Sequence, residues 1–206
     1  LVERGNTAVF TVTRDIFAKI AVRGSSGGIL AVVPYFAKTL ANLVLRRQPF
    51  IVIIVGGEKP GNIGAILRTA DGAGVDALIL CPEPNQPGTD IHNPNVVRAS
   101  LGAVFTIPVV MAEAGELRAW LRQHQIQMAA ATPAANQTHT AVDLRGPIAL
   151  VLGSEAQGLS SSWLAAANTH VAIPMYGRID SLNLSVSAAL LMYEVVRQRQ
   201  PQSEPC

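Results

Sequence analysis

Three polar segments carry the side chains that could do chemistry. They are Gly57-Glu58-Lys59-Pro60-Gly61-Asn62-Ile63-Gly64-Ala65-Ile66-Leu67-Arg68-Thr69-Ala70, then Leu152-Gly153-Ser154-Glu155-Ala156-Gln157-Gly158-Leu159, and Ile173-Pro174-Met175 followed by Ser181-Leu182-Asn183-Leu184-Ser185-Val186-Ser187. In the first, Arg68 sits among Ile66, Leu67, Thr69 and Ala70, with no other charge until Asp71. A guanidinium in apolar company needs a carboxylate or a phosphate. Taken alone, Arg68 reads equally as one arm of a salt bridge or as a substrate contact. Asn62 reads as a helix N-cap after a Pro60-Gly61 turn. The glycines match neither G-x-G-x-x-G nor a P-loop.

The second segment places Ser154 between Gly153 and Glu155, but the spacing is wrong for a G-x-S-x-G nucleophile. His92, His124, His139 and His170 are scattered and expected at the surface. Gly153, at the end of an apolar run, lets another group approach the main chain closely. That suits a ligand held by backbone contacts. In the third segment Pro174 ends strand pairing. Ser181 or Asn183 can cap the helix that follows, and the exposed N–H groups of such a start also bind ligands.

The elements that must position these segments alternate from residue 50 onward. Phe50–Val55, Ala77–Cys81, Val104–Val110, Ile126–Ala131, Ile148–Leu152 and Val171–Pro174 read as strands. Asn62–Gly74, Asn95–Leu101, Glu113–Gln123, Ser160–Ala167 and Asn183–Gln198 read as helices. Alternation of this kind predicts an α/β fold, a parallel sheet with helices on both faces. Each chemical segment then follows a strand and opens a helix, where α/β proteins collect ligand-binding residues. The last helix has two apolar stripes. One is Leu184, Ser187, Ala188, Leu191 and Val195; the other is Val186, Ala189, Leu190 and Tyr193. A helix apolar on two faces must be covered twice, and self-association is the favoured reading.

Composition excludes several classes. With 49% hydrophobic and 15% charged residues, the chain is a packed globule rather than a disordered one. No apolar run reaches the roughly 18–20 residues needed to span a bilayer. Cys81 and Cys206 are the only cysteines, too few for a disulfide framework or a metal spacing. With no signal peptide, this favours the cytoplasm. The net charge is only +2, but residues 1–48 carry +5 and the remainder −3. A basic end is compatible with RNA phosphate contact or with a solvated linker surface.

In order and wording, the three segments resemble the signature motifs of the SpoU/TrmH-type RNA 2′-O-ribose methyltransferases of the SPOUT class. The likeness runs from about Phe50 to Arg197. It implies a C-terminal deep trefoil knot, a feature pattern reasoning would exclude. It also implies methyl transfer from S-adenosylmethionine to a ribose 2′-hydroxyl of structured RNA, ribosomal RNA ahead of transfer RNA, without a metal. Arg68, in Asn-x-Gly-x-x-x-Arg-Thr-Ala, resembles the family's catalytic arginine, with Asn62, Glu155, Ser181 and Asn183 completing the catalytic face. Thr132, Gly153, Ile173, Met175 and Leu182 are then the expected cofactor-binding positions. Arg98, in Arg98-Ala99-Ser100-Leu101-Gly102-Ala103, also matches the family and could touch RNA phosphate, a surface salt bridge being the plainer reading. A guanidinium does not deprotonate, so Arg68 is expected to act as a charge on a developing alkoxide.

By the same resemblance, residues 1–48 are the C-terminal remnant of a small RNA-recognition domain plus linker. Residues 49–200 are the methyltransferase domain and 201–206 a tail. The family's arginine reaches the active site from the partner subunit, so a homodimer is expected. A catalytically silent RNA-binding homologue and a nucleotide-dependent enzyme acting on a small molecule are the alternatives. Retention of all five catalytic-face residues argues against the first. The absent Rossmann and P-loop glycine spacings argue against the second.

Overall fold

The structure, a computed structural model, describes residues 8–21, 27–34, 38–84, 86 and 88–200. The proposed tail, and Gly24 to Ser26 of the N-terminal glycine-serine run, lie outside the described residues. The chain divides into two compact units, residues 1–36 and 37–206. The first contains α1 (Arg14–Ile20), begun by Thr13, whose hydroxyl accepts from the Ile16 amide at 3.5 Å. None of its described helical side chains is buried.

The second unit is built on a six-stranded parallel sheet of order β3-β2-β1-β5-β4-β6. Its strands are β1 (Phe50–Val55), β2 (Ala77–Cys81), β3 (Val109–Met111), β4 (Gln127–Ala131), β5 (Ile148–Gly153) and β6 (Thr169–Val171). The helices between them are α2 (Pro60–Ala73), α3 (Pro94–Ala99), α4 (Ala114–Gln123), α5 (Ser161–Ala166) and α6 (Leu184–Arg199). Every residue of β1 and β2 is buried, as an apolar strand covered on both faces requires.

Successive strand residues point to opposite faces. Ile51, Ile53, Val55, Ile79 and Val151 form one core with Leu117 and Leu121 of α4 and Trp163 of α5. Val52 and Ile54 therefore point to the other face, where α6 packs on β5 and α2, and α2 on α3. Gly64 makes that last contact possible. A Cβ there would stand 2.4 Å from the Ala99 Cβ. The α/β architecture with helices on both faces is as expected. Cys81 is buried, and burial, with Glu83 and Glu113 adding to it, pushes its thiol up to about 12. It is an inert core residue at neutral pH.

Of the element boundaries that differ from the sequence reading, three have a clear local reason. The strand expected over 104–110 is a 3-10 turn at Ala103–Phe105 followed by β3 alone. Pro108 has no N–H to pair, so its carbonyl accepts from Leu78 at 3.0 Å and the ladder starts after it. The last strand spans 169–171, not 171–174, because Ala172 bridges to Thr138 instead of extending the pairing with β4. Helix α2 begins two residues early, with Pro60 at its first turn and Lys59 as N-cap. Proline suits that position, where its missing N–H costs nothing.

Candidate functional site

In this strand order the chain runs from β1 through β2 to β3 on one side, and β5, β4 and β6 lie on the other. Such a switch point opens a crevice beyond the carboxyl ends of the central strands. Here those strands are β1 and β5, in register with Val55 opposite Gly153. The loops that leave them, 56–59 and 154–160, therefore emerge side by side. A cavity of about 570 Å³ lies between them, lined by Gly57, Glu58, Lys59, Glu155 and Ala156.

Glu155 is the hub. Its Oε1 accepts from Asn62 Nδ2 at 3.3 Å, from Asn183 Nδ2 at 2.5 Å and from the Leu184 amide at 3.4 Å. Its Oε2 accepts from Lys59 Nζ at 2.9 Å. Asn183 also donates to Asn62 Oδ1 at 3.2 Å. The Lys59 ammonium, helped by the Leu184 amide, holds the Glu155 carboxyl below the usual carboxylate range. Lys59 in turn is raised by that carboxylate. Three residues from three distant segments, Asn62, Glu155 and Asn183, thus meet as the motifs imply.

Asn62 does not cap α2. Lys59 holds that position, which leaves the Asn62 amide free to face Glu155, Asn183 and Glu58, the last at 2.9 Å. Asn183 does cap α6, accepting from the Ser185 amide at 3.0 Å. Ser181 is exposed and makes no hydrogen bond among the described residues. Arg68 lies elsewhere. Six residues beyond Asn62 it is about 9 Å further along α2. It lines a second cavity of about 480 Å³ with Ala65, Thr69, Ala99, Ala189 and Tyr193. It is exposed, and its guanidinium has no ion pair or hydrogen bond among the described residues. Among the described residues, neither Arg68 nor Arg98, which is also exposed, has the ion pair its salt-bridge reading would require.

Of the expected cofactor positions, Thr132, Gly153 and Ile173 follow or end β4, β5 and β6, three neighbouring strands. Thr132 donates its amide to Val171 O at 3.0 Å. Ile173, Met175 and Leu182 are half-buried. None of the backbone groups from Ile173 to Leu182 is hydrogen bonded among the described residues. A partly covered segment with free N–H and C=O groups fits a ligand held through the main chain. The Ser154 hydroxyl is likewise buried without a partner among the described residues.

Gly153 answers to a nearer neighbour than a ligand. A Cβ on it would lie 2.0 Å from the Gly158 carbonyl carbon and 2.4 Å from Leu159 N. The close approach is therefore by the chain's own loop. Gly153→Ala is expected to force that loop open at about 1–3 kcal/mol, lowering the melting temperature and weakening any ligand held there. A variant as stable as the parent in a thermal melt would contradict this.

Sequence reasoning missed Glu58 and Lys59. Glu58 accepts from the Lys59 amide at 2.7 Å and the Glu155 amide at 3.2 Å. Their position directly after the central strand was the available signal. Among the described residues no group of three His, Cys, Asp or Glu side chains is placed to hold a metal. No helix among them is long and apolar enough to cross a membrane.

A family model for the SpoU rRNA methylases matches residues 49–193. The chain belongs to that family. It is 33% identical over 180 residues to a 23S rRNA (uridine(2479)-2′-O)-methyltransferase of Streptomyces viridochromogenes, covering 83% of this chain and 60% of that relative. It is 36% identical to the 23S rRNA (guanosine-2′-O-)-methyltransferase RlmB of Pectobacterium atrosepticum, covering 74% and 62%. The chain thus spans about three-fifths of the length of these SpoU relatives. A solved structure of the SpoU methyltransferase AviRb from Streptomyces viridochromogenes, in complex with the cofactor AdoMet, superposes with a TM-score of 0.86. That match is 28% identical and covers 96% of this chain and 76% of the other.

Proposed function

We propose that this chain is an S-adenosylmethionine-dependent RNA 2′-O-ribose methyltransferase acting on structured RNA, ribosomal RNA before transfer RNA. The observation that carries the reading is the meeting of Asn62, Glu155 and Asn183 at the switch point, beside the unpaired main chain of 173–182. Family membership and relatives named for 23S rRNA support the substrate class.

Thr132, Gly153 and Ile173, near the ends of β4, β5 and β6, with Met175 and Leu182 in the segment that leads to α6, would hold the cofactor through their backbone. S-adenosylmethionine bound there supplies an already activated methyl group. The chain's task is alignment and charge. Glu155 keeps Asn62 and Asn183 in fixed orientation, and Asn183 and Ser181 face the incoming ribose. Arg68, contributed by a second subunit, clamps phosphate and meets the charge that develops on the 2′-oxygen.

By the family resemblance, the same reading has the C-terminal part tied as a deep trefoil knot. Residues 1–48 are taken as the remnant of an RNA-recognition domain with its linker, and 49–200 as the methyltransferase domain. The same reading expects the cytoplasm as its compartment.

Calorimetry of S-adenosylmethionine or its demethylated product with chelator present tests the cofactor assignment. Binding without added metal is expected. No heat and no thermal shift at about millimolar cofactor would sink it.

A further inference from the structure

Two adjacent residues close the crevice from the β1 side, and neither belongs to the set of motif residues expected to act on the substrate. The Glu58 carboxylate grips mostly main chain, accepting from the Glu155 amide at 3.2 Å and the Lys59 amide at 2.7 Å, and also from Asn62 Nδ2 at 2.9 Å. The Lys59 ammonium grips side chain, taking Glu155 Oε2 at 2.9 Å. The division of labour between the two Glu155 oxygens is complete. Oε1 serves Asn62, Asn183 and the first amide of α6, while Oε2 serves only Lys59 among the described residues.

We infer that Lys59 is a positioning residue: by occupying Glu155 Oε2 it keeps Oε1 on Asn62, Asn183 and the Leu184 amide, and so fixes the start of α6. A carboxylate with one oxygen free can rotate toward water. Three donors would then share whichever oxygen remained near. Asn183 is the most sensitive of them, because the same side chain must donate to Glu155 and accept from Ser185 N at 3.0 Å and Ser185 Oγ at 2.6 Å. Turning its amide would undo the cap of α6 and the orientation of the catalytic face together.

Magnitudes separate this role from a stabilising one. The Lys59 side chain is 77% exposed and the Glu155 side chain 28%. An ion pair that open to solvent adds little to folding stability. Its consequence is directional. The charged groups facing Glu155 are Lys59 and Glu58, and α6 presents Asn183 and an amide. Lys59 feels both carboxylates, Glu155 more than Glu58, so one cation serves both at this loop junction.

The test uses the full chain carrying Lys59→Met, with Lys59→Arg as the conservative variant. Its kinetic arm rests on the methyl-transfer reading above. Its hydrogen-exchange arm does not. In Lys59→Met, kcat should fall roughly tenfold or more, as for a misplaced catalytic group, with KM for RNA little changed and the melting temperature lowered by no more than the loss of one helix cap. Lys59→Arg should recover most of the loss. Amides of Leu184 and Ser185 should exchange faster in the Met variant and at the parental rate in the Arg variant.

A raised KM with unchanged kcat and a shallower salt dependence would make Lys59 an RNA phosphate contact and overturn the inference. Unchanged exchange at Leu184 and Ser185 would overturn it as well. If the parent chain methylates no RNA, the functional reading fails, and the exchange result alone decides the role of Lys59.

Discussion

Replacing Arg68 by alanine is expected to cut methyl transfer by roughly 10²-fold or more, the usual loss for a donor that acts on developing charge. Cofactor affinity should stay as it was. Arg68 lies on α2 beyond Asn62, in the cavity with Tyr193 and Ala189, away from the free main chain of 173–182 proposed to hold the cofactor. An exposed guanidinium with no partner among the described residues is a charge available to something outside the chain. It does not give up its proton, so it cannot serve as a base. Its value is a fixed positive charge and a planar fork that suits a phosphate or an alkoxide. Transfer of labelled methyl to RNA, measured beside calorimetry of the cofactor, separates these roles. A tenfold loss of cofactor binding with normal turnover would show that Arg68 has been assigned wrongly.

The parts of the site legible in the sequence were those written within one segment. Asn62, Glu155 and Asn183 each stand in a short motif after a strand, and strand–helix alternation places such motifs at one edge of a parallel sheet. Their meeting followed. What local pattern could not express was the pairing of β1 with β5, which sets Phe50 beside Ile148, far along the chain. That register sets Val55 beside Gly153, and only then do Glu58 and Lys59 come within reach of Glu155. For the same reason Asn62 read as a cap. A local rule assigns the nearest cap residue, while Pro60 had already started the helix. Gly153 was legible as a point of close approach, but the approaching group, Gly158, is set by how the loop folds back. On α6 both apolar stripes were legible. The burial of Glu194 between them was not, because it depends on Arg197 and Gln198, which bond its carboxylate at 2.7–2.8 Å.

The active species is expected to be a homodimer in which each site draws on both chains. Leu184, Ala188, Leu191 and Val195 of α6 are buried in the subunit, whereas Val186, Leu190 and Tyr193 remain 46%, 42% and 52% exposed. The second apolar stripe is therefore uncovered within one chain, a condition a monomer rarely tolerates. The cavity beside it, between α2, α3 and α6, holds Arg68, so whatever covers the stripe also meets that arginine. On the proposed reading, a second copy brings its own Asn62–Glu155–Asn183 cluster, which would hold the RNA ribose beside the Arg68 of the first. Light scattering should give about twice the 21.7 kDa chain mass. The sharper measurement mixes two inactive variants, Arg68→Ala and Asn183→Ala. If the arginine acts across the interface, each mixed dimer contains one site with both residues intact. Random pairing then restores up to about a quarter of the parental sites. If the arginine acts within its own chain, no pairing rebuilds a site and the mixture stays silent. A stable, fully active monomer would remove the dimer and the shared site together.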